Sequence, residues 1–458
     1  MTVMQKRTNI RNSRQVTSAL LFYLFTFLSF YLLTSLPLRA QSAFDLITSN
    51  RNFSASNYCI YPDSIQPHMT PAPSGKRPFY LSHYGRHGSR YLSNRKGYDI
   101  PYGIMCKADS LGLLTDIGRR VKLELEDIIE DSEGRWGDLT GLGKRQHRDI
   151  ARRMAERFPE IFEGNARVDA RSTCVNRCIL SMASAVQQLQ ALNPKLQTTV
   201  RASMRDMWYM NHQDQVLRDS ARSKQAEKVY NNFRRWRQKN PRLMSLLFTN
   251  ADSARKAVSE QWLNYYLIKA ALIQQNTHMH VNTYLIDLFT YEEIHQYWQL
   301  ENAWWYIQHD PSLLNGGTQP YTQRHLLRQI INDADSCFRL PKPGAQLRFG
   351  HETVLLPLTC LLGINGFDYA TYDLNSLEDE GWWACLVFPM ASNIQFIFYR
   401  ENPQDKDVIF KVLLNENEAR LPIPTDIAPY YHWRDFKEYY LKKLDDYEKT
   451  RQERQTVQ

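Results

Sequence analysis

The chain lacks the clustered cysteines and histidines that a metal site requires. Its seven cysteines are odd in number, so at least one has no disulfide partner. Cys174 and Cys178 are four residues apart on one face of a predicted helix, but no second Cys or His pair at ligand spacing accompanies them. His278, His280 and His295 also show no coherent ligand spacing. We therefore predict no metal site and no cofactor, and ordinary helix packing for the two cysteines.

Beyond residue 40 the chain also lacks a strong excess of either charge. The 57 Lys and Arg residues outnumber the 48 Asp and Glu residues, which gives a formal net charge of +9. Five of the basic residues and none of the acidic ones lie in residues 1–40, so the remainder carries a charge near +4. No basic tract or nucleic-acid recognition motif is present in this remainder. We therefore predict no nucleic-acid partner.

Residues 1–40 have the pattern of a signal peptide. Four basic residues between positions 6 and 14 precede an apolar stretch from Ala19 to Pro37, and Ala40 provides a small residue before Gln41. We expect cleavage there and export to the periplasm, the outer surface or the medium, where some cysteines could pair. The alternative is an uncleaved anchor, because the uncharged run from Gln15 to Leu38 is long enough to span a bilayer. Only in that case do we expect membrane contact.

A predicted strand from Phe79 to Ser82 leads into a turn with two arginines around a histidine. The turn reads Arg86-His87-Gly88-Ser89-Arg90. Guanidinium groups match phosphate oxygens and stay charged, and a neutral imidazole between them can attack a bound phosphorus. Gly88 is expected to let the backbone approach the ligand. The alternative for the turn alone is a basic surface loop.

Two later stretches repeat the arrangement of a strand, polar residues and a helix. A short strand at Ala166 to Ala170 is followed by Arg171-Ser172-Thr173 and Arg177 and then by a helix from about Cys178 to Leu192. A strand at Gln346 to Gly350 is followed by His351-Glu352-Thr353 and a helix from Val354 to Leu362. The carboxyl ends of strands and the amino ends of helices are where α/β folds bind anions. All three stretches are therefore expected at one site.

These motifs resemble those of a known family. Arg86-His87-Gly88-Ser89-Arg90 looks like the signature loop of the histidine phosphatase superfamily. With the lead-in Tyr80 to Gly85 and the later Leu355-Leu356-Pro357-Leu358 and Phe388 to Asn393, the chain is most similar to the multiple inositol polyphosphate phosphatases of the acid phosphatase/phytase branch. The likeness covers most of residues 77–440. It implies an α/β fold with a mixed, largely parallel sheet flanked by helices, as in phosphoglycerate mutases, and an inserted helical domain.

The predicted organisation follows from this resemblance and from the local patterns. The ranges are a signal peptide at 1–40, an extended N-terminal segment at 41–76, a first α/β part at 77–204, an inserted helical domain at 205–335, a second α/β part at 336–433 and a charged C-terminal tail at 434–458. The proline-rich composition near residue 70 supports the extended segment, and the helical range has few strand signals.

The resemblance also implies roles for the site residues. His87 is the expected nucleophile, which forms a phosphohistidine, and Glu352 is the expected proton donor and later the base. The expected phosphate ligands are Arg86, Arg90, Arg177 and His351, and Arg171 is expected to support its strand end. The acid departs from the pattern of the inositol polyphosphate phosphatases, in which it lies two residues after the histidine. Glu352 follows His351 directly, as the acid does in acid phosphatases and phytases, and Thr353 occupies the second position.

The expected substrate is a small anionic phosphate ester, and the resemblance favours an inositol polyphosphate. Arg95 and Lys96 follow the first loop and are candidate ligands for additional phosphates, although a solvated turn explains them equally well. Two other functions remain open. One is a phosphatase of broad specificity, and the other is a phosphate-binding protein with weak or no turnover.

Overall fold

The computed structural model describes residues 42–63, 65–281 and 284–457. The predicted signal peptide and its cleavage position therefore lie outside the described residues. Within the described ranges, no helix is both long and apolar enough to cross a membrane. All seven cysteines are free thiols.

A mixed sheet forms the centre of the protein. The eight strands are β1 (Arg77–Arg86), β2 (Arg167–Ser172), β3 (Gln197–Ala202), β4 (Gly344–Gly350), β5 (Asn393–Arg400), β6 (Ile409–Leu414), β7 (Asn417–Ala419) and β8 (Tyr431–His432). The order is β3-β2-β4-β1-β5-β6-β7, with β8 also on β6. Strands β3, β2, β4 and β1 are parallel, whereas β5 runs antiparallel to β1 and begins the antiparallel part. The predicted mixed α/β fold is thus confirmed.

Helices surround this sheet. They are α1 (Ala43–Ser49), α2 (Lys96–Ser110), α3 (Asp116–Ser132), α4 (Gly141–Arg157), α5 (Pro159–Phe162), α6 (Asn176–Leu192), α7 (Met207–Met210), α8 (Gln215–Ala221), α9 (Lys224–Arg234), α10 (Pro241–Leu247), α11 (Ala251–Ala257), α12 (Glu260–Ile273), α13 (Tyr291–His309), α14 (Arg324–Cys337), α15 (Glu352–Leu362), α16 (Ser376–Asp379), α17 (Ala384–Val387) and α18 (Trp433–Val457).

Both faces of the sheet are buried, which explains why β4 and β5 are buried along their whole length. On one face, α4 and α6 pack against side chains such as Leu347. On the other face, α14, α15 and α18 pack against a group that includes Phe398. The packing of α18 differs from the predicted surface tail. Phe436, Tyr440 and Leu444 recur every four residues and are fully buried, because this spacing places them on one face of the helix.

A third core is built from helices alone. It joins α2 and α3, which follow the first loop in sequence, with α10 to α13 from the stretch between β3 and β4. In the described part of that stretch every regular element is helical. The division into domains stays a prediction, but helices α9, α12 and α13 from the stretch between β3 and β4 form one wall of a cleft. The carboxyl ends of the parallel strands form the other wall.

The N-terminal segment differs from the extended conformation that we predicted. Helix α1 begins at a capping box, in which Ser42 and Asp45 each accept a hydrogen bond from the other's backbone N–H. A 3₁₀-helical stretch, Arg51–Tyr58, follows it. The prolines that suggested an extended chain lie after this stretch, so they do not interrupt it. The segment packs in the helical core through residues such as Ile47 and Ala55.

Candidate active site

Arg86 is the last residue of β1 and is completely buried. Its Nη1 donates to the carbonyl oxygens of Asn57 and Phe388 at 2.6 and 2.7 Å, and its Nε donates to Glu352 at 3.1 Å. Its Nη2 has no protein partner. Burial lowers the pKa of Arg86 to about 10, which still leaves the group charged at neutral pH. The guanidinium is therefore fixed in place with one donor group free.

His87 follows directly and is also completely buried. Its Nδ1 lies 2.9 Å from the carbonyl oxygen of Gly88, which can only accept, so the Nδ1 atom carries the proton. Its Nε2 is left with a free lone pair, and it lies 3.3 Å from Glu352 Oε2, outside hydrogen-bond geometry. Burial and the charges of Arg86 and Arg90 hold the pKa of His87 well below its usual value. Neutral imidazole is the form that can act as a nucleophile.

Two further guanidinium groups border the same space. Arg90 is buried, its Nη1 donates to the carbonyl of Tyr91 at 2.8 Å, and its Nη2 lies 3.5 Å from Glu352 Oε1. Arg177 lies in the first turn of α6, where burial and the charge of Arg90 lower its pKa. The Nε atoms of both arginines are buried and have no partner among the described residues. The like charges of these groups favour an anion between them.

His351 is placed at the amino end of α15, directly after β4. Its ring lies 5.9 Å from that of His87, and its Nε2 is 3.1 Å from Thr173 Oγ1. Its backbone N–H donates to Tyr84 Oη at 3.4 Å. Burial lowers the pKa of His351 to about 4, so the imidazole is neutral at neutral pH. Thr173, directly after β2, thus fixes the orientation of a ring that lies beside His87.

Glu352 is the centre of this cluster. Burial alone would raise the pKa of its carboxyl group, but Arg86, His87 and Arg90 outweigh burial and hold the pKa well below its usual value. Glu352 is therefore a carboxylate in the free protein and occupies the space between the arginines. Because a phosphate dianion would need the same space, a bound phosphate would share the guanidinium groups of these arginines with the carboxylate.

Gly88 has a different role from the one predicted. A Cβ atom at this position would lie 2.5 Å from the carbonyl oxygen of Gly143 in α4, a distance that no real contact allows. The residue is thus required for close packing between the loop and the helix, and its role in the approach of a ligand stays a prediction. Thr140 caps α4 and its Oγ1 also donates to the carbonyl of Ser89 at 3.1 Å, which attaches the loop to the helix a second time.

Three predicted residues lie outside the cluster. Arg171 points along β2, where its Nη2 donates to Asp169 at 2.7 Å and its Nη1 to Tyr209 at 3.0 Å, in agreement with a supporting role. Arg95 is exposed, pairs with Asp99 at 2.8 Å and lies over the ring of Trp136. Lys96 is exposed at the start of α2. Neither Arg95 nor Lys96 lines the cleft that opens from Glu352 and Arg90, which favours the solvated turn, and their role as ligands stays a prediction.

A cleft of about 510 Å³ opens from Glu352 and Arg90 toward the helical wall. The helical wall contributes two cations, Arg234 from α9 and Lys269 from α12. It also contributes six aromatic residues: Tyr230, Trp262, Tyr265, Tyr266, Trp304 and Trp305. None of these residues was predicted from the sequence to lie at the site. A signal was available for Lys269, which is the only basic residue in the apolar and aromatic helix α12.

Three residues of the cluster, His87, His351 and Glu352, also have side chains that can ligate a metal ion. One ligand atom each from His87, His351 and Glu352 lie within 4.8 Å of one another. These three residues are surrounded by Arg86, Arg90 and Arg177, whose charges repel a cation and attract an anion. The electrostatics therefore favour an oxyanion at this position, and the absence of a metal stays a prediction.

A family model shows which family the chain belongs to. The model of the histidine phosphatase superfamily (branch 2) matches residues 85–415, which is well over half of the chain. The chain belongs to this superfamily. The matched range begins next to Arg86 and His87 and extends past β6, so it includes every element of the cluster.

Two curated relatives carry the same name. The chain is similar to multiple inositol polyphosphate phosphatase 1 of Homo sapiens, with 23% identity over 325 residues that cover 66% of each chain. It is also similar to multiple inositol polyphosphate phosphatase 1 of Dictyostelium discoideum, with 28% identity over 110 residues. That match covers 23% of this chain and 17% of the relative.

Solved structures show the same fold. The Bifidobacterium longum multiple inositol polyphosphate phosphatase in complex with phosphate is similar with a TM-score of 0.67 and 18% identity, over 85% of this chain and 97% of that one. Its complex with inositol hexasulfate gives a TM-score of 0.65 with the same identity and coverage. The phytase from D. castellii gives a TM-score of 0.63 and 13% identity, over 86% of this chain and 85% of that one.

Proposed function

We propose that this protein hydrolyses the phosphomonoesters of inositol polyphosphates through a phosphohistidine intermediate. The observation that carries the proposal is a set of four buried nitrogen atoms without partners around Glu352. They are Nη2 of Arg86, Nε2 of His87, Nε of Arg90 and Nε of Arg177. Buried donors normally have acceptors, so three guanidinium nitrogens without acceptors among the described residues, beside an unprotonated imidazole nitrogen, favour the binding of a phosphate ester.

The first step follows from this arrangement. The arginines neutralise the phosphate dianion, and the lone pair of His87 Nε2 attacks the phosphorus in line with the ester oxygen. The P–O ester bond breaks, and the leaving oxygen takes a proton from the carboxyl group of Glu352. The arginines and His351 stabilise the charge on the phosphoryl oxygens in the transition state.

The second step restores the protein. The carboxylate of Glu352 accepts a proton from water, whose oxygen attacks the phosphorus of the phosphohistidine. The P–N bond breaks and its electron pair returns to His87 Nε2. Inorganic phosphate leaves, and Glu352 again holds a proton. Each step conserves protons, and the same carboxyl group acts as acid and then as base.

Substrate binding itself explains how Glu352 becomes an acid. In the free protein the arginines hold the pKa of Glu352 low. A bound phosphate dianion takes over these guanidinium groups and adds negative charge beside the carboxylate, and both changes raise its pKa. Glu352 therefore takes up a proton when the substrate binds. This accounts for an acid placed directly after His351, next to the phosphate.

The substrate class is supported by the comparisons. Both curated relatives are named multiple inositol polyphosphate phosphatases, and the structures with this fold include complexes with phosphate and inositol hexasulfate.

We also propose that the chain is exported after cleavage before Gln41. N-terminal sequencing of the mature protein from the producing cell tests this, and an intact residue 1–40 stretch would overturn it.

The deciding assay measures phosphate release from inositol hexakisphosphate by the wild type, His87→Ala and Glu352→Gln between pH 4 and pH 8. We expect release by the wild type, none by His87→Ala, and slow release by Glu352→Gln. p-Nitrophenyl phosphate serves as the comparison substrate. Equal rates on both substrates would indicate a phosphatase of broad specificity. No release by the wild type, together with binding of phosphate, would indicate a binding protein.

A further inference from the structure

Asn57 brings an unused hydrogen-bond acceptor to the cleft. The residue belongs to the 3₁₀-helical stretch Arg51–Tyr58 and lines the cleft together with Arg90 and Glu352. It is 4% exposed, and its side-chain Oδ1 has no hydrogen-bond partner among the described residues. The free nitrogens of the arginines are donors and fit the oxygens of a phosphate. An amide oxygen can only accept, so its ligand must carry an O–H or N–H group.

The backbone on both sides of Asn57 is fixed. Its own carbonyl oxygen accepts the hydrogen bond from Arg86 Nη1 at 2.6 Å, and the next carbonyl oxygen, that of Tyr58, accepts one from Asn276 Nδ2 at 2.7 Å. Ser56, which precedes it, is completely buried and has a φ of 53°, a conformation that L residues rarely adopt. Such a conformation persists only where the surroundings hold it, so the amide group of Asn57 is attached to a rigid backbone beside the arginine.

The two proposed chemical steps differ in the number of O–H groups that need an acceptor. In-line attack by His87 drives the ester oxygen away from the imidazole, and water must later enter from that same side to displace His87. In the first step the leaving oxygen carries one carbon and receives one proton, which comes from Glu352. In the second step the water has two O–H groups, and Glu352 accepts only one of them. The other O–H group is left for a second acceptor in the cleft.

We propose that Asn57 Oδ1 accepts a hydrogen bond from the water that hydrolyses the phosphohistidine and so orients this water for attack. The inference rests on the proposed function and adds a catalytic residue to its second step. One O–H group of the water gives its proton to Glu352, and the other donates to Asn57 while the water oxygen bonds to phosphorus. The P–N bond breaks, and its electron pair returns to His87 Nε2. Asn57 gains and loses no proton, because it only positions the water.

The test lets water and an alcohol compete for the phosphohistidine. p-Nitrophenyl phosphate is hydrolysed in the presence of methanol, and the ratio of inorganic phosphate to methyl phosphate is measured. Methanol has one O–H group, which Glu352 accepts, and none for Asn57. We expect Asn57→Leu to lower the ratio about 3- to 10-fold, because only the attack by water loses a hydrogen bond. The contact with Arg86 is kept, since it uses the backbone of residue 57.

Asn276→Leu is the matched control, because it frees the carbonyl group of Tyr58 and removes no residue that lines the cleft. It should slow the formation of both products alike and leave their ratio unchanged. Asn57→Asp keeps an oxygen acceptor at the position and should give a ratio closer to the wild-type value than Asn57→Leu does. An equally lowered ratio in Asn276→Leu would attribute the effect to a displaced backbone and overturn the inference.

Direct rates separate this inference from the proposed function. After rapid mixing with p-nitrophenyl phosphate, the rate at which Asn57→Leu becomes phosphorylated should stay within about twofold of the wild-type rate, whereas the decay of the phosphorylated protein in water should slow about 3- to 10-fold. Equal decay in both proteins would overturn the inference alone. Weaker binding of inorganic phosphate by the variant would assign the amide group to the phosphate and also overturn the inference. A wild type that forms no phosphorylated protein would overturn both.

Discussion

The two walls of the cleft hold their cations in different ways. The sheet wall holds its cations with backbone carbonyl groups and buried strands, as in the two carbonyl contacts of Arg86. The helical wall holds Lys269 only between aromatic faces. A guanidinium that carbonyl groups hold in place fits one geometry, whereas a lysine among rings can take several positions. We therefore propose that the sheet wall carries out the reaction and that the helical wall contacts the rest of the substrate.

Among the variants that test this division, His87→Ala has the largest expected effect on turnover. We expect turnover of every substrate to fall by at least about 10⁴-fold, because the nucleophile is removed. Binding of inorganic phosphate should persist, since the arginines remain. Rapid quenching of the wild type under alkaline conditions should trap a phosphorylated protein that the variant lacks. Residual turnover above 1% of the wild-type rate would show that the nucleophile lies elsewhere.

Arg86→Ala should lower both activity and stability. Loss of a fixed donor that stabilises the transition state should reduce kcat about 10³-fold. The substitution also leaves a buried Glu352 and two carbonyl groups without their donor, which should lower the free energy of unfolding by about 3 kcal/mol. Urea denaturation measures the second effect. Lys269→Met is the matched comparison in the other wall, and equal stability losses in both variants would contradict the division.

Glu352→Gln tests the role of Glu352 as proton donor separately from the binding of phosphate. We expect kcat for inositol hexakisphosphate to fall about 10²- to 10³-fold, because the leaving oxygen has no proton donor. The rate of the first step with p-nitrophenyl phosphate should change much less, since its leaving group needs no proton. Binding of inorganic phosphate should become tighter, because the competing carboxylate is gone. Weaker phosphate binding in the variant would show that Glu352 does not compete with the ligand.

The smallest effect is a pH dependence of stability in the sheet wall. His83 on β1 and His147 on α4 are both buried, and burial lowers the pKa of each to about 3. Since the unfolded chain binds these protons near pH 6.5, stability is complete above that pH and decreases as the pH falls toward 3. We expect a loss of about 1 kcal/mol per pH unit for each histidine. Chemical denaturation at pH 7, 6 and 5 measures this slope, and His147→Gln should reduce it.

Sequence alone predicted the parts of the site that are close together in the chain. Arg86, His87 and Arg90 lie in one turn, and His351 and Glu352 are consecutive, so their chemistry is visible in five residues. Strand β3 was not predicted because this edge strand is largely exposed and its sequence, Gln197–Ala202, is mostly polar. Without a buried face, such a strand has no alternation of apolar and polar residues.

The contacts that hold the site residues in place could not be predicted from the sequence for a different reason. The carbonyl groups that accept hydrogen bonds from Arg86 belong to Asn57 and Phe388. Because every residue has a backbone carbonyl group, residue types do not predict such contacts. Thr173 belongs to the motif Arg171-Ser172-Thr173, but its contact with His351 spans 178 residues and is not visible in the sequence. Lys269 was recognisable as the one basic residue of an apolar helix, yet only the fold shows that this helix lines the same cleft as Arg90 and Glu352.

The two carbonyl contacts of Arg86 have a consequence for how the protein becomes active. One contact comes from the N-terminal segment at Asn57 and the other from Phe388, in the last fifth of the chain. During synthesis the loop with Arg86 and His87 emerges more than 300 residues before Phe388, so its clamp is incomplete until almost the whole chain has left the ribosome. A partly made or C-terminally shortened chain would therefore carry the intact signature loop and no working site. Enzymatic activity thus reports that folding has joined both ends of the polypeptide.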